Sequence, residues 1–130
     1  MDTDRSPLTP LSRDECLALM ASVSVGRIIF TRRALPAVEL VCFALDNDEI
    51  VIAAGALVAA THGAVVAFQA DDLDLVTRVG WTVTAIGQSR EVTEQDEIDR
   101  LLRIGLSAWP PVQHEHFVRV SPGILTGTRL

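Results

Sequence analysis

Lysine is absent from the 130-residue sequence, and all 11 basic residues are arginines. This excludes enzymes that form a Schiff base on a lysine and nucleotide-binding proteins that depend on the P-loop lysine. Cysteine is scarce, since Cys16 and Cys42 are too few for a fold built on disulfides. Nucleophile-elbow, Walker and dinucleotide-binding glycine motifs are also missing. The acidic, polar residues 1–7 do not resemble a secretory signal, so we expect a cytoplasmic protein with reduced thiols.

Acidic residues outnumber basic ones, and the formal net charge is −6. Binding to nucleic acid needs a basic face that neutralises phosphates, so a nucleic-acid partner is not expected. A chain of this length is typical of one domain and can bury enough surface to fold without a metal or a disulfide. We expect a flexible N-terminal lead over residues 1–11 and a single domain over residues 12–130.

A long uncharged run covers residues 50–70 if His62 is neutral. Its length suits a membrane span, but both flanks are acidic, whereas the cytoplasmic flank of a span carries Arg or Lys. A turn signal, Thr61-His62-Gly63, also interrupts the run. We therefore expect no membrane insertion, and two buried strands joined by a short helix.

The remaining pattern is mainly that of strands joined by tight turns. Ser12 and Glu15 form a capping box that opens a first helix ending near Ser24, and Thr93 caps a later helix that Gly105 ends. The predicted strands cover residues 25–31, 37–45, 49–54, 64–70 and 80–92 and a pair within 117–130; the predicted helices include 55–61 and 94–104. Turns are expected at 32–36 and 46–48 and an acidic loop at 71–78. The fold class is mainly β (α+β), an antiparallel barrel with peripheral helices.

Candidate chemical groups are few. Asp71, Asp72 and Asp74 lack the EF-hand pattern, and the His114-Glu115-His116 segment lacks an evident third zinc ligand, so no metal site is predicted. The strand 37–45 is nearly continuous apolar sequence, which predicts cover on both faces. Cys42 within it is interpreted as an inert core thiol.

The two tryptophans have different surroundings. Trp81 opens a strand after Gly80, which favours a place in the core. Trp109 precedes two prolines in a loop, where an aromatic side chain can cover a planar ligand or a partner subunit.

Taken in order, these segments resemble the pyridoxamine 5′-phosphate oxidase-like family of FMN-binding split barrels, above all its small actinobacterial-type members. The resemblance covers residues 12–130. It is carried by the segments VGRIIF at 25–30, VELVCFAL at 38–45 followed by Asp46-Asn47-Asp48, VAFQAD at 66–71, GWTV at 80–83 with Gly87, HFVRV at 116–120 and TGTRL at 126–130.

The resemblance implies a six-stranded split barrel, a homodimer, and a flavin in each cleft between subunits. It implies an FMN-dependent oxidoreductase of unknown substrate, with a deazaflavin as another candidate cofactor. A third alternative is a barrel that has lost its cofactor and serves as a ligand-binding or dimerisation module. The implied cofactor-binding residues are Leu40, Val41, Cys42, Phe43, Ala53, Ala54, Gly55, Ala56, Trp81, Trp109 and Arg27.

The sequence departs from the family pattern at two places. Leu40-Val41-Cys42 stands where relatives carry a Pro-Val-Asn-like segment. Relatives also have a Ser-Lys or Ser-Arg step at the flavin phosphate, whereas the stretch 55–58 offers no cation and no hydroxyl. A phosphate would then depend on helix amides or on a cation from elsewhere. The candidates for that cation are Arg27, Arg32, Arg33, Arg78, Arg119 and His62.

Overall fold

The computed structural model describes residues 8–130 as three helices and eight strands. The strands are β1 (Thr9–Pro10), β2 (Val25–Arg32), β3 (Leu35–Asp46), β4 (Glu49–Ala54), β5 (Val65–Asp74), β6 (Val79–Glu91), β7 (His116–Val120) and β8 (Ile124–Arg129). The helices are α1 (Arg13–Met20), α2 (Ala56–Ala59) and α3 (Gln95–Arg103). Of the predicted N-terminal lead, residues 1–7 lie outside the described part, and Thr9–Pro10 pairs with β8.

Six of the strands close into an antiparallel barrel in the order β6-β5-β2-β3-β4-β7, and β7 pairs back onto β6. β6 is long enough to pair with two strands along the edge opposite β5. Its residues Trp81 to Ile86 pair with β8, and Ser89 to Glu91 pair with β7. β8 and β1 therefore extend the sheet beyond the barrel. The predicted fold class, a mainly β six-stranded barrel with peripheral helices, is confirmed.

Two-residue turns connect the hairpins on either side of β3. Asn47 and Asp48 both have positive φ, as do Arg33 and Ala34. Such turns match the twist of paired strands, which explains why the predicted turn at 46–48 is present. The turn predicted at 32–36 is shorter, because β2 continues through Arg32 and β3 begins at Leu35.

The predicted acidic loop at 71–78 is wrong. Residues Asp71 to Asp74 continue β5 and pair with Val79 to Thr82 of β6. Pairing with a neighbouring strand overrides the low strand propensity of aspartate. The turn is confined to residues 75–78, where Asp74 Oδ1 accepts hydrogen bonds from the amides of Val76 and Thr77. These bonds lower the pKa of Asp74.

The helices sit at the periphery as expected, with shifted ends. The capping box is present, since the amide of Glu15 donates to Ser12 Oγ and the Glu15 side chain accepts from the Ser12 amide. α1 ends at Met20, earlier than the predicted Ser24. α3 has Glu94 as its N-cap instead of Thr93, with no side-chain cap bond.

Two apolar clusters form the core. The larger one fills the barrel and includes Phe68, Met20, Ile28 and Trp81, whose side chain is only 6% exposed. The smaller one lies between β4, β7 and α3 and contains Val51, Ala53, Val92, Leu101 and Phe117.

The expected cover on both faces of β3 is not present within the described chain. Val38 and Leu40 are 59% and 42% exposed, because no described element packs over their face. Val41 and Phe43, which point the other way, are buried in the barrel. One face of β3 is therefore an open apolar surface.

The uncharged run 50–70 forms β4, α2 and β5, which confirms the prediction of two strands joined by a short helix. Within residues 8–130, none of the helices has the length and apolar character needed to cross a bilayer.

A buried arginine ties α3 to the barrel. Arg119 on β7 is 4% exposed and donates from Nη2 to Asp46 Oδ2 at 2.6 Å. Its Nε donates to Glu97 Oε2 at 2.5 Å. Arg100 of α3 donates to both oxygens of Asp46, at 3.1 and 2.8 Å. The hydrogen bonds from Arg100 and Arg119 hold the pKa of Asp46 far below its usual range.

Candidate functional site

A recess opens where β4 ends and α2 begins, between β3 and the loop 108–114. It has a smaller lobe of about 120 Å³ and a larger lobe of about 370 Å³, and Glu39, Gly55 and Val112 line both. The larger lobe alone is within the size range of small-molecule sites, about 300–1,000 Å³. The lining residues are Glu39, Leu40, Val41, Ala53, Ala54, Gly55, Ala56, Leu57, Ala108, Trp109, Pro110, Pro111, Val112, Gln113 and His114.

Small residues make the floor of this recess. Ala53, Ala54, Gly55 and Ala56 follow one another where the chain leaves β4. A Cβ added at Gly55 would lie 3.2 Å from Cγ1 of Val112, which is a tight contact with the loop side chain. Short side chains therefore keep the space beside the backbone open for a flat group.

The loop 108–114 forms the opposite wall. The amide of Ala108 donates to Glu115 Oε2 at 2.7 Å, which anchors the start of the loop. Trp109 follows and remains 58% exposed, although tryptophan has a large apolar surface to bury. The loop thus presents an aromatic side chain at the mouth of an apolar recess.

Glu39 is the unexpected member of the lining. It pairs across the sheet with the fully buried Ile28 and points to the same side of β3 as Val41. Its Oε2 atom is buried and has no hydrogen-bond partner among residues 8–130. A buried carboxylate oxygen without a donor is costly, so such an atom indicates a missing donor.

The structure brings together seven of the predicted cofactor residues, namely Leu40, Val41, Ala53, Ala54, Gly55, Ala56 and Trp109. The other four lie elsewhere. Phe43 packs edge-on against Phe68 in the barrel, with ring centroids 4.7 Å apart, and Trp81 belongs to the same core. Cys42 pairs with Ala53 of β4 but does not itself line the recess. Arg27 forms an ion pair with Asp71 at 3.1 Å.

The predicted sources of positive charge do not reach the recess. The part of the chain from residue 8 onward contributes no arginine to its lining. Arg119 is held by its ion pair with Asp46, and Arg32 lines a separate hollow beside α2. His62 Nδ1 accepts a hydrogen bond from the Glu91 amide. α2 has only four residues, too short for its N-terminus to replace a cation.

The three residues of the segment His114-Glu115-His116 make separate contacts and do not converge on one point. His114 lines the larger lobe, Glu115 anchors Ala108, and His116 Nδ1 lies 3.0 Å from Glu91 Oε2. Across residues 8–130, no three side chains of His, Cys, Asp or Glu are grouped so as to hold a metal ion.

Sequence reasoning missed Glu39 and most of the loop wall. The signal for Glu39 was available, because it is the one charged residue in the apolar stretch 37–45. No comparable signal marks residues 110–114, since their place beside β3 depends on tertiary packing.

A closed six-stranded antiparallel barrel with a recess at the end of β4 defines the chain as a split-barrel protein. The family model for pyridoxamine 5′-phosphate oxidase matches residues 12–129, and the chain belongs to that family. The resemblance seen in the sequence is thereby confirmed.

Known structures agree with this assignment. A protein of Corynebacterium glutamicum provisionally assigned as a pyridoxamine 5′-phosphate oxidase is 28% identical, with a TM-score of 0.81 over 100% of this chain and 96% of that chain. The FAD-binding protein of Mycobacterium smegmatis is 31% identical, with a TM-score of 0.77 over 94% of this chain and 97% of that one.

Among curated proteins, an uncharacterized protein of Mycobacterium tuberculosis is 38% identical over 71 residues. The match spans 48% of this chain and 47% of that protein, so it covers about half of each.

Proposed function

We propose that this protein binds a flavin, FMN or a related one, in the recess between β3, β4 and the loop 108–114, and acts as an oxidoreductase. The observation that carries the proposal is the recess itself, in which small residues and Trp109 leave room for a flat heterocycle. The similarity to the FAD-binding protein of Mycobacterium smegmatis supports it.

The residues present fit the ring of a flavin. Leu40 and Val41 offer apolar contact, the alanines and Gly55 permit close approach, and Trp109 can cover an exposed face. A bound flavin would supply hydride transfer, while the protein supplies orientation and a dry cleft. The phosphate of FMN has no arginine beside it in the described lining, so ring contacts would contribute most of the affinity.

We further propose that the protein is a homodimer joined through the open face of β3. Val38 and Leu40 on this face expose apolar surface that a second copy would cover. Trp109 lies at the edge of the same region and would then contact both the partner and the cofactor.

The dimer proposal predicts that Val38→Glu produces a monomer. A charge in the centre of a desolvated apolar interface costs several kcal/mol of association free energy, about enough to raise the dissociation constant a hundredfold or more. Sedimentation velocity measures the change. Leu75→Glu, on the exposed turn after β5, is the matched control and should stay dimeric. A wild-type protein that sediments as a monomer would refute the proposal.

Flavin binding is tested by absorption spectroscopy of the purified protein before and after addition of FMN. We expect bands of oxidised flavin that co-elute with the protein. Mass spectrometry of the released ligand distinguishes FMN from FAD or a deazaflavin. No uptake at high micromolar FMN would argue against the proposal.

Trp109→Ala should weaken flavin binding by about 1–3 kcal/mol, the range for removal of an aromatic anchor. The exposed Leu75→Ala serves as control and should leave the affinity unchanged. Isothermal titration calorimetry gives both values. Equal affinity of wild type and a folded Trp109→Ala protein would remove Trp109 from the site.

One observation favours a second candidate function. The described lining contains a carboxylate oxygen without a partner and no arginine, which suits an uncharged ligand better than a phosphorylated one. In that case the barrel would be a binding or dimerisation module without a redox cofactor. Failure to take up any flavin, together with retained dimerisation, would support this alternative.

Two free thiols, Cys16 and Cys42, suit a reducing compartment, and we place the protein in the cytoplasm on that basis.

A further inference from the structure

Among residues 8–130, one buried oxygen of Glu39, Oε2, lacks a hydrogen-bond donor, which a bound ligand could supply. Glu39 lies on the barrel-facing side of β3, opposite Ile28, where the residue is partly buried and its Oε2 atom is fully buried. Its Oε2 atom has no partner within the described residues, whereas most buried polar atoms in proteins have one. Glu39 also lines both lobes of the recess, so an occupant of either lobe passes close to it.

The charged side chains that line the recess also favour a ligand group that donates a hydrogen bond. Within the described chain, Glu39 is its only acidic lining residue and no arginine balances it. A ligand phosphate in either lobe would lie near the negative charge of Glu39, with no arginine in the described lining to offset the repulsion between them. An N–H or O–H group would instead satisfy the carboxylate with a charge-assisted hydrogen bond.

We propose that Glu39 is the specificity-determining residue of the recess: its carboxylate accepts a hydrogen bond from an N–H or O–H group of the bound flavin and disfavours a flavin whose phosphate lies in the recess. The inference rests on the flavin-binding function proposed above. It predicts that riboflavin binds more tightly than FMN, two ligands that differ only by the phosphate.

The test compares Glu39→Gln and Glu39→Leu with wild type by isothermal titration calorimetry at pH 7.5, using riboflavin and FMN as probes. Glu94→Gln removes the same charge from an exposed position without a side-chain cap bond, so it is the matched control. Glu39→Leu should weaken riboflavin binding about tenfold, because it removes a charge-assisted hydrogen bond.

The discrimination between the two probes should change as well. In both Glu39 variants the ratio of the FMN to the riboflavin dissociation constant should fall about fivefold, since the repulsion on the phosphate is removed. The ratio should be unchanged in Glu94→Gln.

A second readout separates a ligand-binding role from a structural one. Ligand-free Glu39→Leu should melt a few degrees above wild type, because the variant no longer buries a carboxylate oxygen that lacks a hydrogen-bond partner in the described chain. Loss of flavin affinity together with a gain in melting temperature is the signature expected of a residue kept for its ligand.

Three results would overturn the inference. The first is that wild type and the Glu39 variants bind both flavins with the same dissociation constants, and hence with the same ratio of FMN to riboflavin. In that case the proposed flavin-binding function would still hold. The second is weakened self-association of Glu39→Leu in sedimentation with unchanged flavin affinity, which assigns the carboxylate to a partner copy. The third is that wild type binds neither probe, which removes the proposed function as well.

Discussion

Trp81→Ala is expected to lower the free energy of unfolding by about 3–5 kcal/mol, the cost of deleting a large buried aromatic side chain. Trp81 is almost fully buried in the barrel and pairs with Asp72 on one side and Arg129 on the other. Its loss would leave a cavity where β5, β6 and β8 meet. Equilibrium denaturation with urea measures the effect.

The matched control for this prediction is Trp109→Ala, which deletes the same side chain from an exposed loop. We expect it to change the unfolding free energy by less than about 1 kcal/mol. Equal losses for the two variants would mean that the barrel does not depend on Trp81, or that the loop is part of the folding core.

Arg119→Met should cost about 3 kcal/mol of unfolding free energy, since removing one partner of a buried ionic network leaves the others uncompensated. Asp46 and Glu97 would lose their bonds to Arg119, although Asp46 keeps both contacts with Arg100. Thermal and urea denaturation at pH 7 report the loss. The control is Arg103→Met on the exposed side of α3, which should have little effect. Wild-type stability in Arg119→Met would show that the network is energetically neutral.

The same network predicts a pH dependence. The folded-state pKa of Asp46 is lowered by hydrogen bonds from Arg100 and Arg119. A group with a depressed folded pKa contributes stability above its unfolded pKa, and this contribution is lost as the pH falls toward the folded pKa. We therefore expect stability to decline below about pH 4, the ordinary value for aspartate.

The measurement is the urea midpoint as a function of pH, compared between wild type and Asp46→Asn. The slope between about pH 4 and pH 2 should be smaller in the variant, because that carboxylate no longer takes up a proton on unfolding. Parallel curves would contradict the assignment.

Much of the fold could be read from the sequence because local signals and tertiary pairing agree. The capping box of Ser12 and Glu15 and the turn at Asn47–Asp48 depend on neighbouring residues alone. The acidic segment after Ala70 was misjudged because its strand structure comes from pairing with β6, which outweighs local preference.

The sequence alone determined the barrel class, since it follows from the order of apolar strands and turns. The resemblance of its segments to a known family gave the family and implied the small residues that border the recess. Only the tertiary structure decided which residues line the recess. Glu39 lines it, whereas four predicted residues do not: Arg27, Cys42, Phe43 and Trp81. The reason is physical. The face on which a side chain lies follows from alternation along a strand, but which distant loop covers that face depends on packing that no local pattern encodes.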